Sequence, residues 1–197
     1  MSIETDALDA LYASVKPKGV TMTALLAKAI GVALAQHPLL FSTLSADGTQ
    51  VTYNEKVNLA VAVALDGGLI TPVLSDVANT DLFQVGRAWK DLVARARSKS
   101  LSSAEYNSGN FTVSNLGMFG VDVFDAILPP GQSGILAVGA SKKTVVPLGE
   151  GGALSLGVRT IMTVNLTADH RHVNGDKAAE FLQTLKEVIE HPSNLVL

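Results

Sequence analysis

The sequence predicts a single α/β domain, a two-layer α+β sandwich in which a mixed sheet carries helices on one face. Three observations lead there. The 197 residues are 47% hydrophobic and only 17% charged, ample apolar material for one core. Segments with helical spacing are interspersed with short β-rich apolar runs, several of them joined by hairpin-length turns. No repeat, low-complexity tract or internal linker divides residues 1–197, so one domain is expected.

The elements follow in order. Residues 5–16 place Leu8, Leu11 and Val15 at helical spacing, and a second helix runs from about Thr21 to His37, where Pro38 stops it. Residues 39–53 read as a hairpin turning at Ala46-Asp47-Gly48. Residues 57–65 are apolar on both faces, the pattern of a buried strand, and 67–74 read as another strand after a Gly-Gly turn. Residues 81–98 form a helix with Asp81 at its start and basic residues near its end, both favourable to the helix dipole. A short strand at 110–120 runs into a glycine-punctuated loop, and residues 133–141 read as another buried strand. Residues 142–148 and 153–169 form a hairpin around Gly149-Glu150-Gly151-Gly152, and the last helix runs from about Gly175 to His191. Only four residues precede the first helix, so any strand belonging before it is expected to be absent, and the chain to be a piece of a longer polypeptide.

Composition narrows the chemistry. A net charge of −3 argues against a dedicated nucleic-acid binder, whose affinity comes from neutralising phosphates. The absence of cysteine excludes disulfide scaffolds, thiolate zinc sites and cysteine nucleophiles. No uninterrupted apolar run approaches the roughly 20 residues of a membrane span. The helix at 81–99 carries Arg87, Lys90, Arg95, Arg97 and Lys99 around Trp89. That pattern is either a solvated helix face or a surface for nucleic acid or an acidic partner.

Two polar features stand out. Asp169-His170-Arg171-His172-Val173-Asn174-Gly175-Asp176 follows the long apolar strand. If that strand stays regular, His170 and His172 share one face, and Gly175 supplies unusual backbone freedom. The cluster reads as a polar strand–helix junction with His172 exposed and His170 hydrogen-bonded, as a general base, or as part of a metal site. The metal reading is weak, because a site needs three or four converging ligands and His-x-His supplies two. Ser114 ends a buried strand before a glycine loop, placed to aim its hydroxyl into a cleft or to close an ST-turn. It lacks the Gly-x-Ser-x-Gly elbow of a hydrolase.

Residues 169–182, DHRHVNGDKAAEFL, resemble the His-x-x-x-Asp-Gly signature of the 2-oxo acid dehydrogenase acyltransferases, shared with chloramphenicol acetyltransferase. TDALDAL, KGVTMTALLAKA, VNLAVAVALDGGLITPVL, NFTVSNLGMFGVDVFDAILPPG and ILAVGAS resemble segments of that catalytic domain in the same order, over nearly the whole chain. The stretch MFGVDVFDAILPPG is most similar to the plastid and cyanobacterial type.

The resemblance implies a chloramphenicol acetyltransferase-like fold and acetyl transfer between a dihydrolipoyl arm and coenzyme A, with no metal. His170 matches the catalytic base, a role that suits histidine because its unperturbed side chain is mostly neutral at working pH. Ser114 matches the oxyanion-stabilising serine. Asn174 stands where the signature has aspartate, and is expected to hold local geometry or to contact the reacting thiol. His172, usually aliphatic in the family, carries no implied role. Ser141 and Lys142 are candidates for coenzyme A binding, Lys142 towards a phosphate; the alternative is a solvated hairpin lysine. The resemblance also implies a homotrimer with the site at the subunit boundary, building a larger core. Pyruvate dehydrogenase (E1) and dihydrolipoamide dehydrogenase (E3) partners would be reached through lipoyl and subunit-binding domains outside this sequence. The implied location is the chloroplast stroma, with a cyanobacterial cytoplasm or the mitochondrial matrix as alternatives.

Overall fold

The computed structural model describes residues 1–148 and 155–196. The expected turn at residues 149–152 lies outside the described residues.

The first surprise is at the start. Ser2–Glu4 forms β1, which pairs antiparallel with the long last strand, Ser2 opposite Thr163 and Glu4 opposite Ile161. The expectation that no strand precedes the first helix is therefore corrected. α1 (Asp6–Val15) and α2 (Met22–Ala35) follow. α2 begins where Thr21 accepts a hydrogen bond from the Ala24 amide at 3.2 Å, satisfying a donor the helix cannot. It ends before Pro38, as the spacing predicts. The expected hairpin is present but short, β2 (Thr43–Leu44) against β3 (Val51–Thr52).

The apolar run at 57–65 is not one strand. β4 (Leu59–Val61) lies fully buried in the main sheet, whereas β5 (Val63–Leu65) leaves it and pairs with β6 (Gly68–Ile70) in a separate hairpin. The returning strand breaks likewise at Thr71-Pro72 before β7 (Val73–Leu74) rejoins β4. Pro72 has no N–H for a ladder, and its carbonyl accepts instead from the Val61 amide at 2.9 Å. The residues beyond the break are apolar because they wall a cleft.

α3 (Leu82–Arg97) is capped by Asp81, whose carboxylate accepts from the Phe83 and Gln84 amides at 2.9 and 3.0 Å. A one-turn helix, α4 (Ala104–Asn107), leads to β8 (Phe111–Asn115). Then come β9 (Gly134–Val138), β10 (Lys142–Leu148), β11 (Ser155–Ala168) and α5 (Gly175–Glu190).

The main sheet runs β1-β11-β9-β8-β4-β7, with β10 also paired to β11. The β4–β8 and β8–β9 pairs are parallel and the rest antiparallel, the mixed sheet expected. One face of β11 (Met162, Val164, Leu166, Ala168) packs into the core, while Ile161, Thr163, Asn165 and Thr167 on its other face are half-buried. The helices form one layer: α5 packs on α1, α2, β1 and β11, and α3 on α2 and β7. Phe181 of α5 meets Phe111 of β8 edge-on at 5.8 Å, both fully buried, and so clamps helix layer to sheet.

Two buried details fix the connections. Lys28 of α2 donates to the carbonyls of Ala78 and Thr80, each at 2.7 Å, tying α2 to the loop before α3. Burial pushes its pKa down, opposed by Asp81 and Asp76. Gly139, just past β9, is so close to the chain at Asp122 that a Cβ would lie 1.9 Å from the Asp122 carbonyl oxygen.

Gly139→Ala is accordingly expected to lower the thermal midpoint, by about 1–3 kcal/mol of stability or more, because backbone has to move. Gly175, by contrast, has no positive φ and open space around it, which corrects the expectation of a special backbone there. Gly175→Ala should leave thermal unfolding nearly unchanged or slightly stabilised, since alanine costs less in a helix.

Candidate active site

The parallel strands set up the first half of the site. At the carboxyl ends of β4 and β8 the chain opens into a cleft of about 650 Å³, within the size range of small-molecule sites. Its walls are the displaced β5–β6 hairpin and the Leu116–Phe119 loop, and its roof comes from α1, α2 and α3. Ser114 and Ser141 both line it. Ser114 is half-buried, and among the described residues its hydroxyl makes no hydrogen bond. A hydroxyl held by a sheet but unspent on the fold is available to a ligand. Among the lining residues only Asp9 and Arg97 carry charge. Burial pushes the Asp9 carboxyl up, partly offset by the Thr5 hydroxyl at 3.2 Å.

Trp89 also lines this cleft and is almost fully buried, so it faces inward and does not interleave with the basic residues of α3. Arg95 is paired with Asp91 and Glu105. These placements favour the solvated-face reading of 81–99 over a nucleic-acid surface.

Lys142 opens β10 and pairs with Asp122 at 2.6 Å, both side chains being well exposed. It does not line the cleft. A phosphate at Lys142 has to compete with that carboxylate.

The second half of the site lies elsewhere. β11 stops at Ala168, and residues 170–172 form a turn, so strand alternation does not place His170 and His172 on one face. The His172 side chain is 6% exposed, which corrects the expectation that it is exposed, while His170 is exposed and hydrogen-bonded, as the polar-junction reading expects. The turn is stitched by Val173 and His172 amides donating to the Asp169 carbonyl at 2.9 and 3.2 Å.

His170 Nδ1 lies 2.9 Å from the carbonyl oxygen of Val173. A carbonyl only accepts, so Nδ1 carries the proton in the neutral ring and Nε2 presents its lone pair outward. No carboxylate is involved. Asn174 is the N-cap of α5, yet its side chain makes no capping bond and is exposed. Its amide is thus not spent on local geometry. Among the described residues no three groups converge as metal ligands.

The sheet register shows how far apart the halves are. Ser114 pairs with Ala137, and Ala137 with Asn165, so Ser114 is level with Asn165 of β11. His170 lies five residues further on, towards the opposite end of the sheet and two strands across. At about 3.3 Å per residue and about 4.8 Å per strand, Ser114 and His170 are on the order of 15–20 Å apart. One chain does not bring them together.

Sequence reasoning missed Ser133 and its contact with His172. The Ser133 hydroxyl, fully buried, lies 2.7 Å from His172 Nε2 and 2.7 Å from the Ser42 carbonyl. Nothing local signals a contact made across 39 residues.

Comparison with known proteins bears on this arrangement. The family model described as 2-oxoacid dehydrogenases acyltransferase (catalytic domain) matches residues 1–197. The chain is 60% identical, over 99% of its own length, to the chloroplastic dihydrolipoyllysine-residue acetyltransferase component 4 of pyruvate dehydrogenase complex from Arabidopsis thaliana. It spans about 40% of that relative's length. A solved structure of Azotobacter vinelandii dihydrolipoamide acetyltransferase superimposes over 100% of this chain and 82% of its own, with a TM-score of 0.89 and 28% identity. That enzyme was investigated for the catalytic role of a serine, a histidine and an asparagine, the last two four positions apart as His170 and Asn174 are. Chloramphenicol acetyltransferase shares the fold, with a TM-score of 0.64 at 14% identity over 96% of this chain and 86% of its own.

The turn has a titration signature of its own. The guanidinium of Arg171 forks onto Asp169 at 2.6–3.2 Å and holds that carboxyl at about 2, below its ordinary value of 3.8. A depressed folded-state pKa contributes stability that is present above the unfolded value and is lost as pH falls through the folded one. Arg171→Gln should therefore shift the acid-unfolding midpoint to higher pH while leaving neutral-pH spectra unchanged; an unshifted acid limb would show the fork to be inert.

Proposed function

The chain belongs to the 2-oxoacid dehydrogenase acyltransferase family as its catalytic domain, and from that premise we propose that it transfers an acetyl group between a dihydrolipoyl arm and coenzyme A in a pyruvate dehydrogenase complex. The observation that carries this reading is the tautomer of His170, with Nδ1 donating to a backbone carbonyl and a free Nε2 lone pair turned outward. That is the form a general base requires.

In the forward direction the dihydrolipoyl thioester is the donor. The coenzyme A thiol gives its proton to His170 Nε2, and the thiolate attacks the thioester carbonyl carbon. The oxyanion of the tetrahedral intermediate accepts a hydrogen bond from the Ser114 hydroxyl. Collapse breaks the original C–S bond, and the departing dihydrolipoyl sulfur takes the proton back from His170. Sulfur-to-sulfur transfer consumes no water and requires neither metal nor acyl-enzyme. Asn174, with its amide uncommitted in the chain, is placed to contact the reacting thiol. Ser141, in the cleft with Ser114, supports coenzyme A binding there, and Lys142 does so only if Asp122 releases it.

Because Ser114 and His170 stand at opposite ends of one sheet, a complete centre takes Ser114 from one copy and His170 from its neighbour. A homotrimer closing head to tail supplies three such boundaries, with coenzyme A and the lipoyl arm entering a shared channel from its two ends. The relative's greater length leaves room for segments bearing the lipoyl group and docking the E1 and E3 enzymes. The plastid relative favours the chloroplast stroma as the location.

The test is acetyl transfer from acetyl-CoA to dihydrolipoamide. H170A should abolish turnover, and S114A should lower kcat about 100- to 1000-fold, the cost of one oxyanion donor. Refolding equal amounts of the two impaired variants together should restore about a quarter of wild-type activity, since randomly mixed rings of this symmetry carry that share of boundaries with both groups intact. An inactive wild type sinks the reading. Failure of the mixture to recover sinks the shared site.

A further inference from the structure

The mechanism above leaves the buried imidazole of His172 unused. We propose that His172 is a positioning residue for the catalytic turn, fixing the direction of His170 through a hydrogen bond from its Nε2 to Ser133. This rests on the reading of His170 as the base.

The protons along this chain have one consistent direction. Ser133 Oγ is 2.7 Å from the Ser42 carbonyl oxygen, which only accepts, so the single hydroxyl proton of Ser133 goes there. His172 Nε2, also at 2.7 Å, then has to be the donor to Ser133 Oγ. Ser42 in turn spends its hydroxyl on the Leu39 carbonyl at 2.8 Å. The remaining ring nitrogen, Nδ1, is buried, has no hydrogen-bond partner among the described residues, and lies 3.9 Å from an Asp169 oxygen. His172 is therefore held by Ser133 alone, in the tautomer opposite to that of His170.

Ser133 anchors the turn twice. Its carbonyl accepts from the Asp169 amide at 3.0 Å, and its hydroxyl accepts from His172. Asp169 and His172 bracket His170 in the sequence. The next residue, Val173, supplies the carbonyl that orients His170, and its amide closes the turn on Asp169. A shift of His172 off Ser133 is passed through one peptide unit to the Val173 carbonyl, and from there to the Nε2 lone pair. An aliphatic side chain at this position would leave the buried Ser133 oxygen without its donor.

The test compares H172L, H172Q, S133A and H172L/S133A in the assembled full-length protein. Glutamine is chosen because its amide nitrogen reaches where the imidazole Nε2 stands. H172L should lower kcat about tenfold, with KM for acetyl-CoA and dihydrolipoamide within about twofold of wild type, as expected for a misaimed base and intact substrate sites. H172Q should recover most of the loss, and S133A should add nothing to H172L. Amide hydrogen exchange over residues 169–174 should quicken in H172L and return towards wild type in H172Q.

Unchanged kcat in a folded H172L, a parallel rise in both KM values, or a glutamine variant no better than leucine would overturn the proposal. If H172L does not assemble, the comparison of H172Q with H172Q/S133A decides by the same readouts. If the wild type itself transfers no acetyl group, the functional reading fails, and the exchange measurement still decides whether His172 holds the turn.

Discussion

Everything in this molecule is referred to the hydrogen-bonded ladder along β11. Its first half pairs with β10, its middle with β1, and its last five residues with β9 on the other edge. A one-residue slip in any of these would turn Met162 and Val164 out of the core and Thr163 and Asn165 into it. The same register sets where the strand runs out, at Ala168, and so where the turn carrying His170 begins. Packing of α5, through Phe181 on Phe111, then fixes the far side of that turn. The position of His170 is thus a consequence of sheet register, with no dedicated scaffold.

The two halves of the site are prepared by different means. Ser114 is placed by the interior of the sheet, between parallel neighbours, and keeps its hydroxyl free because the ladder consumes only backbone groups. His170 is placed by a turn, where backbone carbonyls left over at the strand end become available as acceptors. One of these, on Val173, fixes the ring tautomer of His170 with no carboxylate beside it. An uncharged acceptor leaves the Nδ1 side of the imidazole without a permanent counter-ion.

Much of the fold was legible because its signals are local. The Thr21 cap and Pro38 stop bound α2, Asp81 and the basic last turn bound α3, and Ala46-Asp47-Gly48 marks a real hairpin turn. Where the reading failed, the deciding contact was distant. β1 exists because Ser2–Glu4 finds β11 some 160 residues away, and three residues carry no periodicity of their own. The break after Val61 was hidden because a cleft wall and a buried strand demand the same apolar residues. In the site, the identities of Ser114 and His170 came from resemblance to a family, and their separation came only from register. The burial of His172 depends on Ser133 and was invisible.

The split of the site between the two ends of one sheet has an evolutionary consequence. A solitary chain holds a nucleophile-activating half and an oxyanion half that never meet, so on the proposed reading it is chemically silent towards thioesters until it is assembled. Surface residues that touch no substrate then come under the same selection as the reacting groups, because losing a neighbour and losing a base have one phenotype. Quaternary structure and catalysis become a single heritable trait, and drift at the boundary is policed by turnover.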